Sequence, residues 1–277
     1  MNDKYKNKLK KELLEILDFF DKICKKNNLK YYLGGGTLLG AIRHDGFIPW
    51  DDDIDVYMPR EDYNKLLKLK INNEIYWLDN YKTNKQNWHP FSKIRLKNTE
   101  FYEQNIPLFI ENQGFWIDIL PIDNTKNTHF SFLKIRKRLV EICKNILLYK
   151  TVKKKNYDSI CKKIFYNFTK FIPNFIILNF REFIMQLENN KKNKYLISFG
   201  SRYKVENQLH LKEKIFPLKK HVFELKKYPI PYDYDYVLTK IYGKDYMIVP
   251  PKDKQRTHYP TKIKFSDGEE MYFDEKI

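Results

Sequence analysis

The sequence predicts an α+β fold: a mixed β-sheet core with flanking helices and a basic helical insertion. Two observations predict it. Short apolar runs of strand length ("YYL", "IDVY", "EIYWLD", "FSKIRLK", "GFWIDILPID") cluster between residues 31 and 123, with helical stretches between some of them. Residues 130–190 then read as mainly helical, interrupted by Pro173, and hold most of the excess positive charge. From Lys126 to Lys194 there are 17 Lys or Arg against Glu141, Asp158, Glu182 and Glu188. The chain thus divides into an amphipathic N-terminal helix (1–29), a core (30–125), a basic, mainly helical region (126–194) and a C-terminal part that rejoins the core (195–277).

The elements follow in order. Leu9, Leu13, Ile16, Leu17, Phe20 and Ile23 recur at helical spacing, so residues 5–28 form a helix with one buried stripe, ended by Asn27 and Asn28. Tyr31–Leu33 is a short strand running into Gly34-Gly35-Gly36, and a short helix to His44 begins at these glycines. Ile54–Tyr57 is a second strand, extended back to Asp53 and stopped by Pro59; Arg60 to Lys70 is helical. The last third mixes turns and short helices, broken by Pro229, Pro231, Pro250 and Pro251. No internal repeat is visible.

Hydrophobic residues make up 42% of the 277, enough for a sizeable core. Cys24, Cys143 and Cys161 are too few and too scattered for a disulfide framework or a zinc site, and read as reduced thiols. The first thirty residues are charged rather than signal-like, and no apolar run reaches the roughly 18–20 residues of a membrane span. The expectation is a cytoplasmic protein, with peripheral contact to the inner face of an anionic membrane as a further option. The stretch "KKIFYNFTKFIPNFIILNFREFIMQL" (162–187) is the segment for such contact, although a core helix pair with basic outer faces is the more economical reading. A net charge of +17 suits nucleic acid, anionic head groups or phosphorylated substrates.

The chemistry concentrates between Tyr31 and Arg60. Glycines at a strand-to-helix turn let the backbone approach a ligand, and the helix N-terminus favours phosphate. Gly35, Gly36 and Thr37 are the residues for that role, although no Gly-Lys-Ser/Thr follows as in a P-loop. Asp51, Asp52, Asp53 and Asp55 crowd the next strand. Asp53 and Asp55 share a face at i and i+2, and would repel unless a cation joined them. Their hard oxygens select Mg²⁺ or Mn²⁺. An EF-hand is excluded, since Val56 stands where that loop needs Gly and Asp62 where it needs Glu. Asp118, in an apolar strand, is read as a third ligand or a base. Asp52 has the opposite parity and is expected to bond backbone or Arg43, with Asp51 ranked fourth as a ligand. Glycine turn, helix, Asp-x-Asp strand and later Asp strand together have the order of a nucleotidyltransferase fold.

The tract "GGGTLLGAIRHDGFIPWDDDIDVYM" resembles the signature of the LicD/fukutin family of phosphotransferases. Matches follow in order at "KIRLKNTEF" (93–101), "GFWIDILPID" (114–123), "FPLKKHVFELKKYPIPYDYDYVLTKIYGKDYM" (216–247), Pro250-Pro251 and His258-Tyr259-Pro260. Asp45 and Leu225 depart from residues common in the family, and the zinc loop of animal members is not seen.

The resemblance implies transfer of a phosphorylated alcohol from a CDP-linked donor to a hydroxyl of a glycan or lipid-linked glycan. Among bacterial relatives the donor is commonly CDP-choline, and ribitol or glycerol phosphate are alternatives. It implies Mg²⁺ (or Mn²⁺) held by Asp53, Asp55 and Asp118. Arg43, His44, Lys93, Arg95, Arg256 and His258 are the further candidates for phosphate or substrate contact. A metal-dependent glycosyltransferase and an RNA-binding module are the competing readings; no nucleic-acid partner is expected.

Overall fold

Helix α1 (Asp3–Lys26) forms where the apolar stripe predicts it and buries Leu9, Leu13, Ile16, Leu17 and Phe20. The computed structural model describes residues 3–84, 86–103, 114–126, 128–152, 166–255, 257–258 and 260–273, and the chain is an α+β protein. Strand β1 (Tyr32–Leu33) pairs antiparallel with β2 (Asp55–Pro59), and α2 (Gly35–His44) connects them. Pro59 ends β2 and caps α3 (Arg60–Leu66). Further on lie β3 (Tyr76–Asp79), β4 (Ser92–Leu96), β5 (Glu100–Glu103) and the ten-residue β6 (Trp116–Thr125). The sheet order is β1-β2-β6-β4-β3, with β2 and β6 parallel and the other neighbours antiparallel. Strand β6 is central and nearly wholly buried, which is why "WIDILPID" reads as one apolar run. Helix α1 contacts β6 and β4, and its stripe shares one core with Val56, Ile94, Ile117 and Ile119.

Beyond β6 come α4 (Phe130–Val152) and α5 (Asn174–Gln186), which pack on each other through Cys143, Leu147, Ile177 and Leu178. The last third contains more strand than its turn-rich sequence predicts. β7 (Tyr195–Ile197) continues the main sheet by pairing with the far half of β6, and β8 (His210–Leu211) pairs with β7. Between them lies α6 (Val205–Gln208), and α7 (Lys212–Ile215) follows. Next are the hairpin of β9 (Lys219–Phe223) and β10 (Lys226–Ile230) and then α8 (Tyr234–Tyr242). Finally β11 (Pro260–Lys264) pairs with β5 and with β12 (Glu270–Tyr272). These strands are two to five residues long, too short for alternation to stand out.

A buried ionic network joins the sheet to α5. Arg60 donates through Nε and Nη2 to the two oxygens of Asp123 at 2.7 and 2.8 Å, and through Nη1 to Glu182 at 3.0 Å. Arg181 also reaches Glu182 at 3.2 Å. The outer face of α5 is consequently not basic, as the economical reading of 162–187 supposes. Its charges point inward, and Phe175, Ile176, Phe180 and Phe183 face solvent. Part of that stretch, and Cys161 with it, lies outside the described residues.

Two predictions follow from these buried groups. Asp123→Ala would leave Arg60 buried with half its partners, a loss of about 3–5 kcal/mol by analogy with broken buried pairs. Lys65→Ala, at an exposed pair, should leave the denaturation midpoint unmoved; a comparable drop in both variants would contradict the assignment.

The second prediction concerns His89 and His210, both with Nδ1 buried and unpartnered among the described residues. Burial holds both below the usual imidazole range, His210 at about 3. The unfolded chain therefore binds more protons, so their stabilisation is complete above about pH 6.5 and declines as pH falls toward the folded value. Stability should drop by about 1 kcal/mol per histidine between roughly pH 6 and pH 5. Chemical denaturation of His210→Gln across that range should show roughly half the slope.

Candidate active site

The parallel pairing of β2 with β6 makes Asp55 and Asp118 register partners, and β4 brings Lys93 opposite Asp118 on the other side. Asp55, Asp118 and Lys93 therefore sit abreast on three adjacent strands. Asp53 precedes them in an extended lead-in rather than on the strand, because the ladder begins at Asp55; Asp118 N still bonds to Ile54 O at 2.8 Å. Helix α2 begins above this edge. Gly35 has φ +50, and a Cβ there would lie 2.7 Å from Asp55 Oδ2; one on Gly36 would lie 2.6 Å from Asp51 Oδ2. The glycines thus let the helix N-terminus, with its unpaired N–H groups, close onto the acids.

The electrostatics are lopsided. Burial, then the charges of Asp53 and Asp118, hold Asp55 well above the usual carboxylate range. Burial, then Asp53 and Asp52, does the same to Asp51, and burial raises Asp53 as well. Among the described residues no donor bonds to the carboxylates of Asp51, Asp53 or Asp55. Asp52 is the opposite case. It accepts from the Thr257 hydroxyl, from His258 N at 3.1 Å and pairs with His258 Nδ1 at 2.7 Å. Burial pushes Asp52 up, but these bonds outweigh it and hold it below the usual range. Burial pulls His258 down, and Asp52, with Asp53 3.7 Å away, raises it to about 10.

Lys93 Nζ stands 2.8 Å from Asp118 Oδ1, a buried ion pair. The same ammonium lies 4.1 Å from the Trp116 ring centre. Burial lowers its pKa against the opposing pull of Asp118.

The sequence-derived candidates separate into two groups. Gly35, Gly36, Asp53, Asp55, Lys93, Asp118 and His258 come together. Thr37 is buried, and its Oγ1 accepts from Asp55 N at 2.8 Å, so it ties α2 to β2. Arg43 and His44 lie at the far end of α2, roughly 12 Å along the helix from Gly35. Arg43 donates to Tyr246 O at 2.8 Å and, through Nε, to His44. Arg95 is buried against Asp79 at 2.8 Å and Gly114 O. Asp52 bonds residues 257–258 and not Arg43, because the C-terminal segment reaches it first. Arg256 lies outside the described residues. Among those residues no three His, Cys, Asp or Glu side chains form a group able to hold a metal ion.

Comparisons with known proteins bear on this arrangement. The family described as "LicD/FKTN/FKRP, nucleotidyltransferase domain" matches residues 28–148. The chain is 30% identical to the lipopolysaccharide cholinephosphotransferase LicD of Haemophilus influenzae over 261 residues, 89% of this chain and 92% of that protein. The chain belongs to the LicD family of phosphotransferases. Shorter likenesses run to an uncharacterized protein of Rickettsia prowazekii, 46% over 50 residues (18% of this chain, 19% of that one), and to the human ribitol 5-phosphate transferase FKRP, 40% over 48 residues (17% and 10%).

The sequence reading of this LicD-family chain misses Arg202. Its charge acts on Asp51, Asp53 and Asp55 from an exposed loop, which Lys137 of α4 grips through Ser201 O and Tyr203 O. Only a fold places residue 202 beside residue 55; no local motif marks it.

Gly35→Ala should displace Asp55 and slow phosphotransfer by about tenfold or more, with strain of about 1 kcal/mol. Gly243→Ala is the matched control, since its φ of +94 brings strain but nothing lies within 4 Å. It should lose similar stability and keep its rate; equal rates in the two variants would remove the steric argument.

Proposed function

We propose that this LicD-family enzyme moves phosphocholine from CDP-choline to a hydroxyl of a surface glycan or lipid-linked glycan, with release of CMP. The observation that carries the reading is the register pairing of Asp55 with Asp118 beneath the glycine-opened end of α2. The near full-length likeness to a protein named a lipopolysaccharide cholinephosphotransferase supports choline over ribitol, for which the likeness covers 48 residues.

The donor chemistry suits a hard divalent cation, although among the described residues the carboxylates as they stand are not gathered into a group able to hold one. Asp53 and Asp55 accept no hydrogen bond among the described residues, Asp118 meets only the Lys93 ammonium, at 2.8 Å, and all three are oxygen ligands of the class Mg²⁺ takes. These three would hold it once drawn together, and when bound it would neutralise charge on the donor pyrophosphate. The chain's own residues do the rest. Backbone N–H groups of Gly35 and Gly36 orient the phosphates, and Arg202 offsets their charge. The acceptor oxygen attacks phosphorus, its proton passes to the Asp118 carboxylate, and the bond to CMP breaks. His258, held by Asp52, keeps a positive charge beside Asp53.

CMP release should be measured with Mg²⁺ against CDP-choline, CDP-ribitol, CDP-glycerol and sugar nucleotides, with and without glycan acceptors. CDP-choline should be preferred and chelation should stop the reaction. Asp53→Asn/Asp55→Asn should be folded and slower by about 100-fold or more. Preference for a sugar nucleotide would point to a glycosyltransferase, and full activity of the double variant would remove the carboxylates from the mechanism.

A further inference from the structure

Helix α5 and the turns before it expose a continuous run of large apolar side chains. Phe168 is 76% exposed, Phe171 85%, Phe175 63% and Phe183 59%, with Ile176 and Phe180 also outward. Soluble surfaces rarely show apolar patches this large unless something covers them. On α5 the exposed positions 175, 176, 179, 180, 183 and 187 lie along one face, and Asn179 is its sole polar member. No acid interrupts it, because Glu182 points inward to Arg60 and Glu188 pairs with Arg136 at 3.2 Å.

The rim is basic. Lys170 lies between Phe168 and Phe171, Lys150 Nζ bonds Ile172 O at 2.5 Å, and Lys192 and Lys194 follow the helix, exposed. In sequence, Lys153, Lys154, Lys155, Lys162 and Lys163 join α4 to this region.

We propose that this face docks on an anionic lipid bilayer, with the phenylalanines entering the acyl boundary and the lysines meeting the head groups. An aromatic face rimmed by cations and free of acids is the composition that binds such an interface. A second copy is the alternative occupant. It would set two lysine rims against each other with no acid on the face to offset them, so charge complementarity favours lipid. The likeness of an apolar helix to a membrane span does not enter, since among the described residues no helix is long and apolar enough to cross a bilayer.

The test uses the full chain and vesicles of phosphatidylcholine with or without phosphatidylglycerol. The protein should sediment with the anionic vesicles, weakly with the neutral ones, and less as salt screens the rim. Phe175→Ser/Phe180→Ser/Phe183→Ser should lower anionic-vesicle affinity by about tenfold or more at an unchanged denaturation midpoint. It should retain CMP release with a soluble acceptor, which separates this proposal from the reaction itself. Lys170→Glu/Lys192→Glu should weaken anionic binding while leaving the phenylalanines in place. Absence of binding, equal binding to neutral vesicles, or a concentration-dependent dimer that the triple substitution dissolves would each overturn it.

Discussion

The parallel register of β2 and β6 is the constraint on which the site depends. It places Asp55 beside Asp118, and a slip of one residue would turn one of them to the opposite face. With Asp51 and Asp53 just ahead, four carboxylates share a nearly enclosed edge, where Asp53 keeps 17% of its side-chain surface and Asp118 14%. Repulsion in such a place is strong, because little water screens it. The fold answers with positive groups from distant parts of the chain: Lys93 on β4, Arg202 after β7 and His258 before β11. The C-terminal segment is thereby bound to the acids by electrostatics as well as by packing.

The same two strands carry opposite charge arrangements at their two ends. At one end Arg60, just past β2, and Asp123, on β6, are fully paired and almost inaccessible. At the other, five residues back and roughly 17 Å away along the strands, Asp118 meets Lys93 at 2.8 Å and Asp55 accepts no hydrogen bond among the described residues. The first is a clamp, since removing either partner strands a buried charge. The second is under-neutralised in a protein whose overall charge is +17, so the deficit is local and geometrical rather than compositional. Asp52 shows the contrast at single-residue scale: it takes the direct bonds of Thr257 and His258 and lies below the usual carboxylate range while its neighbours are raised.

What the sequence made legible follows from period and spacing. The stripe of α1, the glycine-led α2, Asp-x-Asp before Val56 and the apolar run of β6 each carry a local signal longer than a few residues. Asp53, Asp55 and Asp118 could therefore be brought together before any coordinates. A strand as short as β7 could not be seen, because its partner β6 lies about seventy residues away, and the two-residue β8 is anchored only by β7. Arg43, His44 and Arg95 were drawn to the site by their charge and their place in matched tracts. Helix length sets the first two apart from the acids, and the third is engaged by Asp79. Arg202 was invisible for the converse reason, as an ordinary arginine in a turn that tertiary structure alone carries to the acids.

Helix α5 shows how the clamp shapes the surface. The helix is apolar on both sides, with Ile177, Leu178, Ile184 and Met185 inward and Phe175, Phe180 and Phe183 outward. A helix of that kind ordinarily lies fully covered. Rotating it by half a turn would bury three phenylalanines at about 2 kcal/mol each. It would also expose four buried aliphatic side chains of similar worth and withdraw Glu182 from Arg60, leaving that guanidinium with an unmet donor in the interior. The exchange is unfavourable, so the buried network decides which face looks outward. The exposed aromatics are then a consequence of how the sheet is clamped, and no rearrangement within the described residues removes them without breaking the clamp.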